Sequence, residues 1–237
     1  PIVLSGGPVT VCSAFKYLGS WLTESPTMDK EVAVRKGKAY AAFNSFAGLW
    51  SNPHLRLPDK VACYRVFVLP HMLYAAEGWN VTAAQLKTLE VVHNNCMRRM
   101  MGVRLRDRHS AKHLLATCKL EPVRVLVARA QLRWAGHVAR MGPERAPFVA
   151  LVGDLSGSRR RGGQRMTFLR SLRAGLATCG LPCGSSDEEC RQWVRECASD
   201  RVAFNRMVRG LKMAARQPSV PTRVQPPRRC KRVHAAI

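Results

Sequence analysis

The chain has 237 residues, of which 46% are hydrophobic, and it carries 39 Lys and Arg against 15 Asp and Glu, a formal net charge of +24. This length and apolar share predict a folded protein with one large or two small domains, and they exclude a wholly polar, unstructured chain. Because so large an excess of positive charge repels itself in a compact state, we expect a polyanionic partner.

The positive charge is concentrated in the middle of the chain. Residues 96–173 hold 18 basic and 4 acidic side chains and so supply +14 of the net charge. Concentration in one region indicates a binding surface, whereas a uniformly basic chain would indicate only a soluble cationic protein.

The nine cysteines are odd in number, and the sequence contains neither a signal peptide nor an apolar run long enough to span a membrane. We therefore expect reduced thiols, an intracellular location in cytosol or nucleus, and no membrane partner. The chain begins with Pro1 rather than Met, inside a Gly-containing turn, which predicts a piece of a longer protein.

The first 23 residues predict short strands, because β-favouring residues there are separated by Gly and Pro. Two or three such strands are unstable alone, so they are expected to complete a sheet or to pack on the first helix. That helix is predicted over residues 27–50, with Thr27 as its cap. A second helix begins near Pro58, and Pro70 is expected to kink or split it.

Further helices are predicted along the rest of the chain. Thr82 caps a helix that Gly102 ends, and Ser110 begins a short one. A long central helix follows Pro122 and ends before Gly142. Shorter helices are expected over residues 145–151, 164–178, 187–197 and 200–213. The predicted fold is mainly α: helical bundles with a short N-terminal β-hairpin and a disordered basic C-terminal tail at 217–237.

The central helix carries two stripes of residues at helical spacing. An apolar stripe, expected to face the core, comprises Val123, Val127, Ala130, Trp134, Val138 and Met141. A basic stripe about 100° away comprises Arg129, Arg133, His137 and Arg140. A basic stripe alone is as consistent with a solvated face as with binding.

The loop after the central helix favours binding. Arg159, Arg160, Arg161 and Arg165 are interleaved with glycines. This composition cannot build a core, but it can lay guanidinium groups along a phosphate chain. The helix and loop together therefore predict nucleic-acid contact.

No catalytic site is predicted. Two-metal phosphoryl chemistry needs carboxylates around ions about 4 Å apart, whereas the Asp residues of this chain are scattered. L-P-D-K at residues 57–60 has the form of part of a nuclease motif, but Pro58 and Asp59 also suit the first turn of a helix, which we favour.

No metal site is predicted either. Cys179, Cys183, Cys190 and Cys197 lack the paired Cys-x-x-Cys spacing of a zinc ribbon and have no His between them, so buried thiols are preferred to zinc ligands. His109, His113 and Cys118 form a weaker candidate trio, and for them too we prefer a structural role to zinc binding. The five Trp residues are spread one per element, whereas base stacking needs aromatic residues gathered on a basic face, so they are expected in the core. This holds especially for Trp134, because it lies in the apolar stripe.

Five segments share their order and spacing with one protein family. They are F-K-Y-L-G-S at 15–20, V-L-P-H-M-L-Y-A-A-E-G-W at 68–79, H-N-N-C-M-R-R-M-M-G at 93–102, L-R-W-A-G-H-V-A-R-M at 132–141 and G-D-L-S-G-S-R-R-R-G-G-Q at 153–164. Across residues 15–215 they resemble the region that follows the catalytic palm in reverse transcriptases of non-LTR (LINE-type) retrotransposons.

The resemblance implies a division into domains. Residues 1–23 would form the hairpin that closes an upstream palm, and the segment near the primer grip would comprise Phe15, Lys16, Tyr17, Leu18 and Gly19. Residues 24–102 would form a thumb-like helical domain. Residues 103–216 would form a basic post-thumb helical domain with its arginine-rich loop at 156–165, and residues 217–237 a disordered basic tail.

The resemblance also bears on metals. The aspartates that bind catalytic metal in the family would lie upstream of Pro1, so we expect no cofactor in this chain and Mg²⁺ in the parent polymerase. Some family members end in a Cys-Cys-His-Cys knuckle, and no matching spacing is present here, so a zinc site is left open.

We therefore predict that the chain holds RNA, DNA or both for a reverse transcriptase, in a nuclear and cytoplasmic ribonucleoprotein, without catalysis of its own. The predicted contacts are Arg104, Arg106, Arg108, Arg129, Arg133, His137, Arg140, Arg159, Arg160, Arg161 and Arg165. Two alternatives stay open: a chain that polymerises or cuts nucleic acid by itself, and a helical interaction module that binds an acidic protein. The basic tail is equally consistent with a nuclear import signal and a nonspecific clamp.

Overall fold

A computed structural model describes residues 12–24, 27–151 and 166–214, and the backbone of residues 3–4 and 7–8. The predicted arginine-rich loop at 156–165 and the predicted tail at 217–237 lie outside the described residues. Within the described ranges the fold is mainly α, as predicted, with short antiparallel strands before the first helix.

The strands form two hairpins. β1 (Val3–Leu4) pairs with β2 (Gly7–Pro8), and β3 (Ala14–Tyr17) pairs with β4 (Ser20–Thr23). The second hairpin turns through a two-residue loop at Leu18 and Gly19, whose φ angles are 45° and 83°. Loops with two positive φ angles match the right-handed twist of paired strands, and Gly adopts such angles without steric cost.

The helices before the central one are α1 (Asp29–Ser45), α2 (Ala47–Ser51), α3 (Leu57–Phe67), α4 (Leu69–Met72), α5 (Ala83–Met101) and α6 (Ala111–Cys118). The predicted split is confirmed, since α3 ends at Phe67 and Pro70 lies in the first turn of α4, where its missing N–H is tolerated. The predicted cap of the first helix is wrong. Met28 takes the N-cap position of α1 without a side-chain hydrogen bond, while Thr27 hydrogen-bonds to the Asp29 side chain.

The caps of the next helices are as predicted. Thr82 and Gln85 form a reciprocal capping box at the start of α5, and Gly102 ends that helix with φ of 69°. The Ser110 side chain accepts a hydrogen bond from the His113 N–H at the start of α6. Each cap satisfies a backbone group that the helix end leaves without a partner.

The second half of the described chain comprises α7 (Val123–Ala139), α8 (Ala146–Leu151), α9 (Phe168–Thr178), α10 (Asp187–Ser199) and α11 (Arg201–Gly210). The side chains of Thr167, Ser186 and Asp200 cap α9, α10 and α11. None of the helices in the described ranges combines the length and the hydrophobicity that crossing a bilayer requires.

Two hydrophobic cores meet along α7. The first core packs α1, α3, α5 and α6 around residues such as Phe43, Tyr64 and Leu89. The second core packs α9, α10 and α11 around residues such as Leu172, Val194 and Phe204. From α7, Val123 and Val127 enter the first core, and Val125, Leu132 and Ala135 enter the second.

The predicted orientation of the central helix is therefore wrong in part. Val123, Val127 and Val138 are buried as expected, but Trp134 is 39% exposed. A helix that packs against two cores has a buried face wider than one stripe, so only a narrow strip reaches the surface. Trp134 lies on that strip, whereas Trp50 and Trp79 are buried as predicted.

Candidate nucleic-acid interface

A groove of about 480 Å³ lies between α7, the 3-10 turn Ala76–Gly78 and α11. From α7 it is lined by Ala130, Arg133, Trp134, His137 and Arg140. Glu77 contributes from the 3-10 turn, and Arg201 and Asn205 contribute from α11. Three of the predicted contacts, Arg133, His137 and Arg140, are thus brought together in one place.

Gln131 fixes the 3-10 turn against α7. Its side chain is buried, and its Nε2 donates to the Trp79 carbonyl at 2.7 Å and to Ser171 Oγ at 2.9 Å. Because a buried amide is costly to leave without partners, these bonds hold the chain just after Glu77 in one position. The groove wall that carries Glu77 is therefore anchored to the helix that carries the arginines.

Gly136 lets α11 approach α7 on the other side of the groove. A Cβ on Gly136 would lie 2.2 Å from the ring of Phe204, which is buried. The guanidinium carbon of Arg140 stands 5.5 Å from the centroid of the same ring, within the range of a cation–π contact. The close packing that Gly136 permits places Arg201 and Asn205 next to the strip of α7.

The arginines of the groove are exposed. Among the described residues, Arg133, Arg140 and Arg201 take part in none of the ion pairs. Partial burial, followed by the nearby positive charge of Arg201, lowers the pKa of Arg140 from its ordinary value. Like charges held close together raise the local positive potential, which attracts an anion.

Trp134 adds an aromatic surface to this basic strip. Its ring centroid lies 5.7 Å from that of His137, and the two ring planes are tilted by 42°. The sequence predicts Trp134 in the core because it lies in the apolar stripe of the central helix. The only signal against that prediction was His137, which follows Arg133 by four residues and Trp134 by three and so neighbours both on the helix surface.

Arg129 belongs to the fold rather than to this surface. Its Nη1 and Nη2 donate to Glu121 Oε2 and Oε1, both at 2.5 Å, and it also donates to the carbonyls of Val208 and Leu211. The hydrogen bonds to Glu121 raise the pKa of Arg129 above its ordinary value. Four of its five N–H donors are therefore used inside the molecule, which indicates a structural role for Arg129.

Arg104, Arg106 and Arg108 lie apart from the groove. They occupy the connection between α5 and α6, around the 3-10 turn Leu105–Asp107, and their side chains are exposed. Asp107 Oδ2 accepts a hydrogen bond from the Arg104 backbone N–H at 2.6 Å, which holds the turn. Arg159, Arg160, Arg161 and Arg165 lie outside the described residues, so the structure does not test their prediction.

The segment that the resemblance likens to a primer grip forms the second hairpin. A buried ion pair on α1, between Arg35 Nε and Glu31 Oε1 at 2.5 Å, anchors it. Glu31 Oε2 accepts from the Trp21 N–H at 2.8 Å, and Arg35 Nη2 donates to the Gly19 carbonyl at 2.6 Å. Tyr74 Oη, from the chain after α4, donates to the Leu18 carbonyl at 2.8 Å.

The other side of that hairpin is open. Phe15 faces Leu22 across the strands, and Tyr17, two residues further, shares their face. These three side chains are 56%, 57% and 57% exposed, and Leu18 at the turn is 77% exposed. The predicted primer-grip residues are therefore presented at the surface by a hairpin whose backbone is held firmly.

Of the four cysteines considered as zinc ligands, Cys183 and Cys190 are buried, as the preferred interpretation predicts, whereas Cys179 and Cys197 are half-buried. In the described part of the chain, no three His, Cys, Asp or Glu side chains come close enough together to hold a metal ion. Cys183 and Cys190 are buried and hydrogen-bonded to each other, and burial raises the pKa of Cys190 to about 12. Thiols in this state are poor nucleophiles and poor metal ligands.

Comparison with known proteins found similarity to one transposon-derived protein. It is 30% identical over 132 residues to a protein of Caenorhabditis elegans described as uncharacterized and transposon-derived, and the match covers 52% of this chain and 46% of the worm protein. The chain thus spans less than half the length of that relative. It matches no family model and no solved structure. The similarity is consistent with a transposon-related origin.

Proposed function

We propose that this chain is the nucleic-acid-holding C-terminal portion of a non-LTR retrotransposon reverse transcriptase, an RNA-directed DNA polymerase. The observation that carries the proposal is the groove, which Arg133, Arg140 and Arg201 line together with an exposed Trp134. Guanidinium groups bind phosphate and aromatic rings stack on bases, so this combination suits a nucleic acid. The five-segment resemblance and the similarity to a transposon-derived protein support the same proposal.

In this proposal the chain binds and does not catalyse. Polymerisation would be carried out by a palm upstream, against which the hairpin of β3 and β4 packs its exposed apolar face. Such a palm would hold Mg²⁺ on its own aspartates and would supply the metal-assisted phosphoryl transfer. No step of that chemistry is assigned to residues of this chain.

The salt dependence of binding tests the proposal. Each phosphate neutralised on a single strand adds about 0.7 to the slope of log K against log salt. The double variant Arg133→Gln/Arg201→Gln should therefore lower the slope for single-stranded RNA by about 1.4, measured by anisotropy of a labelled strand between about 50 and 200 mM salt. The control Arg195→Gln/Arg206→Gln removes the same charge from exposed positions of α10 and α11 outside the groove. Equal slopes for the two double variants would reject the groove as the phosphate site.

The predicted arginine-rich loop is tested in the same way. Replacing Arg159, Arg160 and Arg161 with Ala should make the slope shallower, and an unchanged slope would remove the loop from the proposal. Competition separates the alternative of an acidic protein partner, because tRNA and heparin should displace the labelled strand at concentrations at which acidic peptides do not. Displacement by acidic peptides at equal charge would favour the interaction module.

A further inference from the structure

We propose that the groove accepts an unpaired nucleotide, whose base stacks on Trp134 while its flanking phosphates lie against Arg133 and Arg201. This inference rests on the proposed function and narrows its ligand to a single-stranded segment of RNA or DNA.

The exposure of Trp134 is the first step of the argument. Burying a large aromatic side chain stabilises a fold, yet Trp134 keeps 39% of its surface exposed on a helix that is otherwise packed on two sides. His137 is tilted by 42° against it, with 5.7 Å between the ring centroids, so the imidazole is not stacked on the indole. The groove therefore presents part of the indole, with basic groups beside it.

The charge and the size of the groove indicate which ligand it accepts. The groove volume of about 480 Å³ falls within the range of about 300–1,000 Å³ that holds small organic ligands. The bases of a duplex already stack on one another, so an indole on a protein surface reaches only a base that is unpaired and turned outward. Arg133 and Arg201 line the same groove as the indole, which suits the phosphates on either side of such a base.

Glu77 gives the groove a preference for bases that carry an exocyclic amino group. A carboxylate among arginines repels phosphate, so the position next to Glu77 is better suited to the base than to the backbone. Carboxylates accept hydrogen bonds from the exocyclic amino groups of cytosine and adenine, which thymine and uracil lack at the corresponding positions. Asn205, on the opposite wall, offers an amide that can both donate and accept. We therefore expect cytosine-rich strands to bind more tightly than thymine-rich strands.

The experiment compares two substitutions of Trp134 on single-stranded and duplex ligands. Trp134→Leu keeps apolar packing and loses the ring, whereas Trp134→Phe keeps an aromatic face. We expect Trp134→Leu to weaken binding of labelled oligo(dC) and oligo(rC) by about 10-fold, Trp134→Phe to retain most of that affinity, and duplex affinity to change little. Thermal unfolding followed by circular dichroism checks that both variants are folded.

Fluorescence gives a second measurement on the same complexes. Binding of oligo(dC) should quench tryptophan emission, and the quench should persist in Trp193→Phe, which alters a half-buried residue of α10, but vanish in Trp134→Phe. Equal losses of single-strand and duplex affinity in Trp134→Leu, or a quench that survives in Trp134→Phe, would overturn the stacking while leaving nucleic-acid binding intact. No binding of the unaltered chain to either ligand would instead overturn the proposed function.

The role of Glu77 is tested by Glu77→Gln. The ratio of oligo(dC) to oligo(dT) affinity should fall, because the amide accepts an amino hydrogen bond less strongly than a carboxylate does and also donates to the thymine carbonyl. An unchanged ratio would exclude Glu77 from base contact.

Discussion

Arg129 and Glu121 form a two-pronged ion pair in which both nitrogen–oxygen distances are 2.5 Å, and the same guanidinium group donates to the carbonyls of Val208 and Leu211. One side chain of α7 thus fixes both the segment before that helix and the end of α11. Arg133, four residues further on, points into the groove. The two arginines have the same predicted role in the sequence and different surroundings in the structure.

We predict that Arg129→Met destabilises the fold and leaves the groove chemistry unchanged. The substitution leaves Glu121 without its partner and two carbonyls without their donor, which should cost about 1–3 kcal/mol in the free energy of unfolding. Urea denaturation measures that loss, and anisotropy at a temperature well below the transition should show single-strand affinity close to that of the unaltered chain. Arg133→Gln should give the opposite pattern. A stable Arg129→Met variant with weakened binding would return Arg129 to the contact surface.

The buried pair of Glu31 and Arg35 leads to a second prediction. Both residues are nearly inaccessible to solvent, at 2% and 1% exposure, and together they hold the Trp21 N–H and the Gly19 carbonyl of the second hairpin. Glu31→Gln leaves the Arg35 charge uncompensated and should destabilise the chain by about 3–5 kcal/mol. Glu31→Leu and Arg35→Met each leave one buried charge without its partner, whereas Glu31→Leu/Arg35→Met removes both charges. The loss of the double variant measured by urea denaturation should therefore be smaller than the sum of the two single losses. Additive losses would show that the pair is not coupled.

How far the sequence predicts this structure depends on the distance over which each feature is determined. Thr82 and Ser110 cap their helices as expected, because a cap and the helix it serves lie within a few residues of each other. The break between α3 and α4 was predictable for the same reason, since Pro70 acts on its own neighbourhood. The predicted cap at Thr27 is wrong only because Met28 takes the N-cap position, so that the helix begins one residue later, at Asp29.

The groove could not be predicted, because its parts are brought together by packing between distant segments. Val208 and Leu211, whose carbonyls accept hydrogen bonds from Arg129, lie 79 and 82 residues further along the chain. No spacing in the sequence links Glu77 or Arg201 to Trp134. The basic stripe indicated a binding helix. Which members of the stripe remain at the surface, however, depends on how the second core packs against α7.

Gly136 and Gly37 make a matched pair for a third prediction. Both lie inside helices, where Ala is ordinarily better than Gly by about 1 kcal/mol. A Cβ at Gly37 meets nothing within 4 Å, whereas one at Gly136 would lie 2.2 Å from the buried Phe204 ring. Gly37→Ala should therefore raise the free energy of unfolding by about 0.5–1 kcal/mol, and Gly136→Ala should lower it by about 1–3 kcal/mol. Gly136→Ala should also weaken single-strand binding, because a displaced α11 moves Arg201. Gains in stability from both substitutions would contradict the close packing of α7 and α11.

His93 leads to a prediction for the effect of pH on stability. It is buried in the first core, where its Nδ1 is 2.8 Å from Tyr64 Oη, and burial lowers its pKa from 6.5 to about 4. Between those two values the unfolded chain binds a proton that the folded chain does not, so the free energy of unfolding should fall as the pH falls from about 6.5 to about 4. The full loss from this group is about 3 kcal/mol, at about 1.4 kcal/mol per pKa unit.

The substitution His93→Gln isolates this contribution, since Gln can still accept a hydrogen bond from Tyr64 but does not titrate. Urea denaturation at a series of pH values should show a shallower decline for His93→Gln than for the unaltered chain. His54→Gln, at an exposed position before α3, serves as the control and should keep the original profile. If His93→Gln declines as steeply as the control, then other groups cause the loss of stability in acid and His93 is protonated within the fold.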